Sequence, residues 1–131
     1  MNEIITYYSK TPPNKYSWED YTIRHKEENR SCADTIEVFL LIENNKIKAW
    51  YFEWITSIIT TATASLFWES IIWMDIKEVL EKDYYYIVEL LWEDVTPRRQ
   101  KASIFWILAT RNAIHMYLWD GKFDELLDLL P

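Results

Sequence analysis

The chain has 131 residues, half of them apolar and 17% aromatic, so it is long enough to bury a core of its own as one domain spanning 1–131. Its net charge of −7 argues against nucleic acid or an anionic membrane as the main partner, because both select a positive surface. A single cysteine excludes an internal disulfide, the first residues lack a basic and apolar leader, and no apolar run reaches the ~18–20 residues that cross a bilayer, so a cytoplasmic protein is expected.

Asn2 to Ser9 reads as a short helix that stops before Thr11-Pro12-Pro13-Asn14, since proline disfavours helix in the residue before it. Trp18 to Lys26 alternates in part, with Tyr21, Ile23 and His25 on one side, and predicts a strand. Glu27 to Arg30 reads as a charged, solvated turn. The clearest strand follows, with Ile36, Val38, Leu40 and Ile42 on one face, then Asn44-Asn45 as a two-residue hairpin turn, because Asn tolerates left-handed backbone. Ile47 to Trp54 returns as its partner, with Ala49 and Tyr51 opposite Lys48, Trp50 and Phe52.

Everything after Ile55 reads as helical. Thr56 to Ile72 is a weak helix former whose small residues, Ala62 to Ser65, would let it lie close on the sheet. Asp75 caps a short helix to Leu80, and another runs from Asp83 to Leu91. Thr96 as cap and Pro97 at the first helical position open a long helix to about Trp119, with Ala102, Phe105, Ala109, Ala113 and Met116 as its apolar stripe. Gly121 fits the stop, and Phe123 to Leu130 forms a last amphipathic turn or two. The fold class is therefore α+β: a three-stranded antiparallel sheet with helices packed on one face.

The candidate chemistry lies in Ser31 to Leu66, where Cys32 and Asp34 open the hairpin. Cys32 is either a small buried apolar residue or a metal ligand. Asp34 either caps a turn or shares that site, and Ser57 reads as a helix N-cap or a residual ligand. His25 and His115 sit in no ligand-spaced motif and read as surface or half-buried residues. Arg98, Arg99 and Lys101 form a solvated basic helix start or an anion or partner contact. Tyr84-Tyr85-Tyr86 and the surplus Trp read as core first and as a partner surface second. No nucleophile–base pair, phosphate loop or dinucleotide fingerprint is present, so an enzyme is not expected.

Five motifs in order give a resemblance. Tyr7-Tyr8 precedes Pro12-Pro13-Asn14; Cys32-Ala33-Asp34 opens the hairpin; and Phe52 to Ser57 leads into Ala62-Thr63-Ala64-Ser65. Ile72-Trp73-Met74 follows that helix, and Pro97-Arg98-Arg99-Gln100-Lys101-Ala102 opens the long one. Over roughly Ile4 to Leu118 this resembles the U-type iron–sulfur cluster assembly scaffolds, namely IscU, SufU and the N-terminal domain of NifU (a SufE/NifU-like fold). The resemblance implies a non-enzymatic scaffold that binds iron, an iron–sulfur cluster or zinc through three cysteines and an aspartate, and that works with a cysteine desulfurase. Cys32 and Asp34 match the first pair, whereas Ser57 and Ala102 occupy the positions of the other two cysteines, and Lys101 that of a neighbouring His. The site is degenerate, because a hydroxyl is a poor ligand for a soft metal and a methyl is none, so binding is weak or lost. The alternative is a non-metal adaptor docking on a cysteine desulfurase or another assembly partner.

One compositional feature stands apart. The chain has eight Trp and one Gly, where average usage gives glycine ~7% of positions. Trp54 and Trp73 stand where the resemblance places glycine. Some bacterial lineages read UGA as glycine, so these residues are expected to come from such codons.

Overall fold

The computed structural model describes residues 2–10, 14–15, 19–29, 34–54 and 57–131. The elements run α1 (Asn2–Lys10), β1 (Ile23–Asn29), β2 (Asp34–Glu43), β3 (Lys46–Glu53), α2 (Ile58–Phe67), a 3₁₀ turn (Trp68–Ile71), α3 (Ile76–Val79), α4 (Tyr84–Leu91), α5 (Pro97–Leu118) and a second 3₁₀ turn (Leu126–Leu129). The strands form one antiparallel sheet in the order β1-β2-β3. The expected α+β architecture is observed; the prolines at 12 and 13 and Trp18 lie outside the described residues, and the first strand begins only at Ile23, not at the expected Trp18.

The hairpin forms as its turn chemistry requires. Asn44 and Asn45 both take left-handed backbone, at φ 53 and 61. Strict alternation in the returning strand fails at one place. Leu41 pairs with Ala49 but Ile42 pairs with Ile47, so Lys48 is an extra residue that bulges to solvent. The bulge is why Ile47 and Trp50, an odd number of residues apart, both face the core.

β1 corrects the sequence reading at its far end. Glu27 to Asn29 continue the strand instead of turning, and Glu27 is buried. Its carboxylate accepts from Asn112 Nδ2 at 2.6 Å and lies 3.0 Å from His25 Nε2. That partnership explains how a glutamate is held inside the sheet.

α5 is the central helix. It lies across β1 and β2 and also packs on α2 and α4. The expected apolar stripe understates it, because Ser103 to Thr110 and Asn112 to His115 are all buried. A helix enclosed on several sides is apolar nearly all round. Met116, assigned to the stripe, is exposed. α2 is also enclosed, with α1 and α5 as its main neighbours, and its Ala64 joins the core formed with the strands. Short side chains there allow close approach of helices. Trp50 links sheet to helix, its indole N–H donating to Thr110 Oγ1 at 2.8 Å and its ring meeting Trp106 edge-on.

The helix ends are set by local signals. Asp75 and Asp83 accept from Lys77 N and Tyr85 N at 2.9 Å each, as their N-cap positions require. Thr96 occupies the cap position of α5 but its hydroxyl makes no capping bond. α5 stops at Trp119, which takes the left-handed conformation expected of Gly121, two residues later.

His115 is buried, contrary to the sequence reading. Its ring nitrogens lie 2.7 Å from Asp120 Oδ2 and 2.9 Å from Asp124 Oδ2. Arg111 Nε donates to the same Asp124 oxygen at 2.9 Å, and its Nη1 to Lys82 O at 2.7 Å. The hydrogen bond from His115, followed by the Lys122 backbone N–H, holds the Asp120 carboxyl below the usual carboxylate range. These contacts dock the chain after α5 against the helix. Among the described residues no helix is long and apolar enough to cross a membrane.

Candidate functional site

Three elements meet at one end of the sheet: the first residue of β2, the N-terminus of α2 and the first turns of α5. Cys32 lies outside the described residues, as do its neighbours 31 and 33. Asp34, Ser57 and Ala102 are described, and they come together.

Asp34 is 3% exposed. Its Oδ1 accepts the Ser57 backbone N–H at 2.8 Å. Its Oδ2 accepts the Thr60 hydroxyl at 2.5 Å, with the Ser57 hydroxyl at 3.3 Å. The carboxylate thus sits on the N-terminal end of α2, where unpaired amides and the helix dipole favour a negative group. Ser57 is the N-cap of α2, its Oγ accepting from Thr60 N at 3.1 Å. Thr60 Oγ1 also lies 3.1 Å from Ala102 O, so one hydroxyl stands between the aspartate and the long helix.

No motif in the sequence marks Thr60. The available signal is its spacing: position i+3 from an N-cap serine places it one turn along the same face. Its single hydroxyl proton serves Asp34 Oδ2, at the shorter distance, and its oxygen lies against the Ala102 carbonyl of α5. Lys101 is exposed and Ala102 half-buried, so α5 contributes a backbone carbonyl to the cluster.

The cluster as built is a carboxylate satisfied by one amide and two hydroxyls. None of these hydroxyls matches the thiolates that bind soft metals. Among the described residues no group of three or more His, Cys, Asp or Glu gathers closely enough to hold a metal ion. The hydrogen bonds make Asp34 a structural tie. Asp34→Ala leaves the Ser57 amide and Thr60 hydroxyl without their charged acceptor, and is expected to lower stability by about 2–3 kcal/mol. Urea denaturation measures this, and a loss under ~0.5 kcal/mol would show that the tie carries no weight.

The same end of the fold can be compared with known proteins. No family model matches the chain. The iron–sulfur cluster assembly scaffold protein IscU of Thermotoga maritima is 31% identical over 78 residues, which cover 60% of this chain and 55% of that protein. A scaffold protein for the SUF system from Fervidobacterium islandicum AW-1 superposes with a TM-score of 0.70 at 20% identity, over 86% of this chain and 94% of that one. The N-terminal part of a NifU-like protein from Brucella abortus gives a TM-score of 0.72 at 12% identity, over 92% and 95%. The chain is thus similar in sequence to part of an IscU scaffold protein and similar in fold to two further scaffold-type proteins. The sequence match covers just over half of the Thermotoga protein, and the two structural likenesses establish the U-type fold. Within that fold the three elements that carry the motif positions of this chain converge on the Asp34 cluster.

Proposed function

We propose that this chain is a scaffold-type protein of iron–sulfur cluster assembly in the cytoplasm, without catalysis of its own. Its cargo, iron or a cluster, is held weakly or not at all, through Cys32 and Asp34. The observation that carries the reading is the Thr60 hydroxyl reaching both Asp34 Oδ2 and the Ala102 carbonyl, with Ser57 beside it. It joins the three motif positions that the resemblance equates with a ligand site.

A second reading is favoured by the saturation of Asp34. A carboxylate already held by an amide and two hydroxyls is built for fold integrity. In that reading the chain is an adaptor that docks on a cysteine desulfurase and carries no metal.

Anaerobic incubation with ferrous iron and sulfide, followed by iron and sulfide analysis per chain, tests both. The scaffold reading expects substoichiometric iron that disappears in Cys32→Ala. The adaptor reading expects no iron but retained binding to a cysteine desulfurase. Iron uptake unchanged by Cys32→Ala overturns the site, and neither iron nor desulfurase binding overturns both readings.

A further inference from the structure

The described tryptophans divide into two groups by backbone and by burial. Trp54, Trp73, Trp92 and Trp119 take φ of 90, 65, 61 and 54. They are 45%, 57%, 93% and 93% exposed, in the same order. Trp50 and Trp106 are fully buried, and Trp68 is half-buried in a 3₁₀ turn. None of these three has a positive φ. The two properties coincide at each of the seven described tryptophans.

Positive φ places Cβ against the backbone, and only glycine and, less readily, Asn or Asp adopt it routinely. The other positive-φ residues here obey that rule, being Asn44, Asn45 and Gly121. A bulky aromatic is among the least suited residues for such a position.

The four sites are also turns where a glycine has a defined role. Trp92 and Trp119 terminate α4 and α5 in left-handed caps, their amides bonding back to Val88 O at 2.8 Å and Met116 O at 3.3 Å. Trp73 turns the chain back onto the sheet, its N–H donating to Ile47 O at 2.6 Å. Trp54 leaves β3 just before the segment leading to Ser57 and α2. At 92 and 119 the side chain is almost wholly in solvent, so the fold uses the backbone of these residues and not their rings.

We propose that the native chain carries glycine at 54, 73, 92 and 119, each written as tryptophan because its codon is a UGA that the source cell decodes as glycine. Tryptophan is genuine at 50, 68 and 106, encoded by UGG. The proposal extends the reading of positions 54 and 73 to two helix ends and rests on backbone conformation, independently of any resemblance. The exposed aromatic surface at these four positions is then absent from the native protein. The chain entering the candidate site at 54 acquires the freedom of glycine in place of an indole bonded to Glu37 and covered by Lys26.

Peptide mass spectrometry of the protein isolated from the source cells, read against the codons of its gene, decides the matter. Glycine in the peptides at all four positions, with UGA codons there and UGG at 50, 68 and 106, is the expected result. Tryptophan in the peptide at any of the four overturns it, whatever the codon. A recombinant readout is independent of the source. The chain with Trp→Gly at all four positions is expected to have a higher denaturation midpoint than the sequence as written, whereas Trp50→Gly and Trp106→Gly lower it. A quadruple variant with a lowered midpoint contradicts the conformational argument.

Discussion

On the proposed scaffold reading, replacing Ser57 and Ala102 together by cysteine is expected to give a chain that holds roughly one iron–sulfur unit per molecule, since such clusters are held by about four ligands, mainly Cys. The two positions lie on α2's N-cap and in the first turns of α5, joined through Thr60 to Asp34. Thiolates there would add to Asp34 and Cys32 the soft donors that a hydroxyl and a methyl do not supply. Loss of a mere supporting contact in a metal site costs ~10–100-fold in affinity. Supplying two primary ligands should therefore tighten iron binding by at least ~10²-fold on the same scale. The substitution has a modest structural cost: Ser57→Cys weakens the bond to Thr60 N, about 1 kcal/mol for a lost cap. Anaerobic reconstitution, with iron and sulfide counted and visible absorption recorded, is the measurement. Ser57→Cys alone is expected to fall between the native chain and the double variant, and adding Cys32→Ala to the double variant should remove most of the gain. A double variant that binds no more iron than the native chain would show that the three elements meet for packing alone.

The convergence that this test exploits was legible in the sequence only through motif order. Nothing in local propensity says that Asp34 and Ala102 share a cluster. Thr60 carries no distinguishing pattern, being one threonine in a Thr-rich helix. The hairpin was readable because Asn44-Asn45 and the alternation of Ile36, Val38 and Leu40 are local signals. The bulge at Lys48 was not, since it depends on pairing with β2. The same limit accounts for Glu27 and His115. Both are polar residues held by partners outside their own element, Asn112 lying 85 residues from Glu27, and Asp120 and Asp124 following His115 beyond the end of α5. Polar groups default to solvent in any local reading, and long-range satisfaction overrides that default. The glycine deficit was visible in composition, but composition could not say which tryptophans were out of place. Backbone conformation supplies that, and it adds Trp92 and Trp119 at helix ends, which the sequence reading places first in the core and which are exposed.

The largest loss of stability is expected from Asn112→Ala. Asn112 is fully buried on α5 and makes three bonds of different reach. Its Nδ2 donates to Glu27 Oε1 at 2.6 Å and to Asp124 O at 3.0 Å, and its Oδ1 accepts Asp124 N–H at 2.7 Å. The side chain therefore joins β1, α5 and the segment after α5. Alanine removes all three bonds and leaves the Glu27 carboxylate with His25 as its side-chain hydrogen-bond partner among the described residues. Each buried group left without its hydrogen-bond partner costs about 1–3 kcal/mol, so the three bonds together are worth about 3–5 kcal/mol. That is a large share of the ~5–15 kcal/mol that holds a typical domain together. For a chain of this size the corresponding fall in Tm is roughly 10–15 °C. Thermal and urea denaturation measure the global effect, and amide exchange locates it. Arg111 and His115 still grip the Asp124 side chain in the variant, so the segment loosens at its backbone before it detaches. Amides of Asp124 and the turn Leu126–Leu129 should exchange faster by more than the change in global stability alone. Unchanged exchange there, with a loss below ~1 kcal/mol, would mean that water replaces Asn112 and that the buried polar cluster is not what fastens the C-terminal segment to α5.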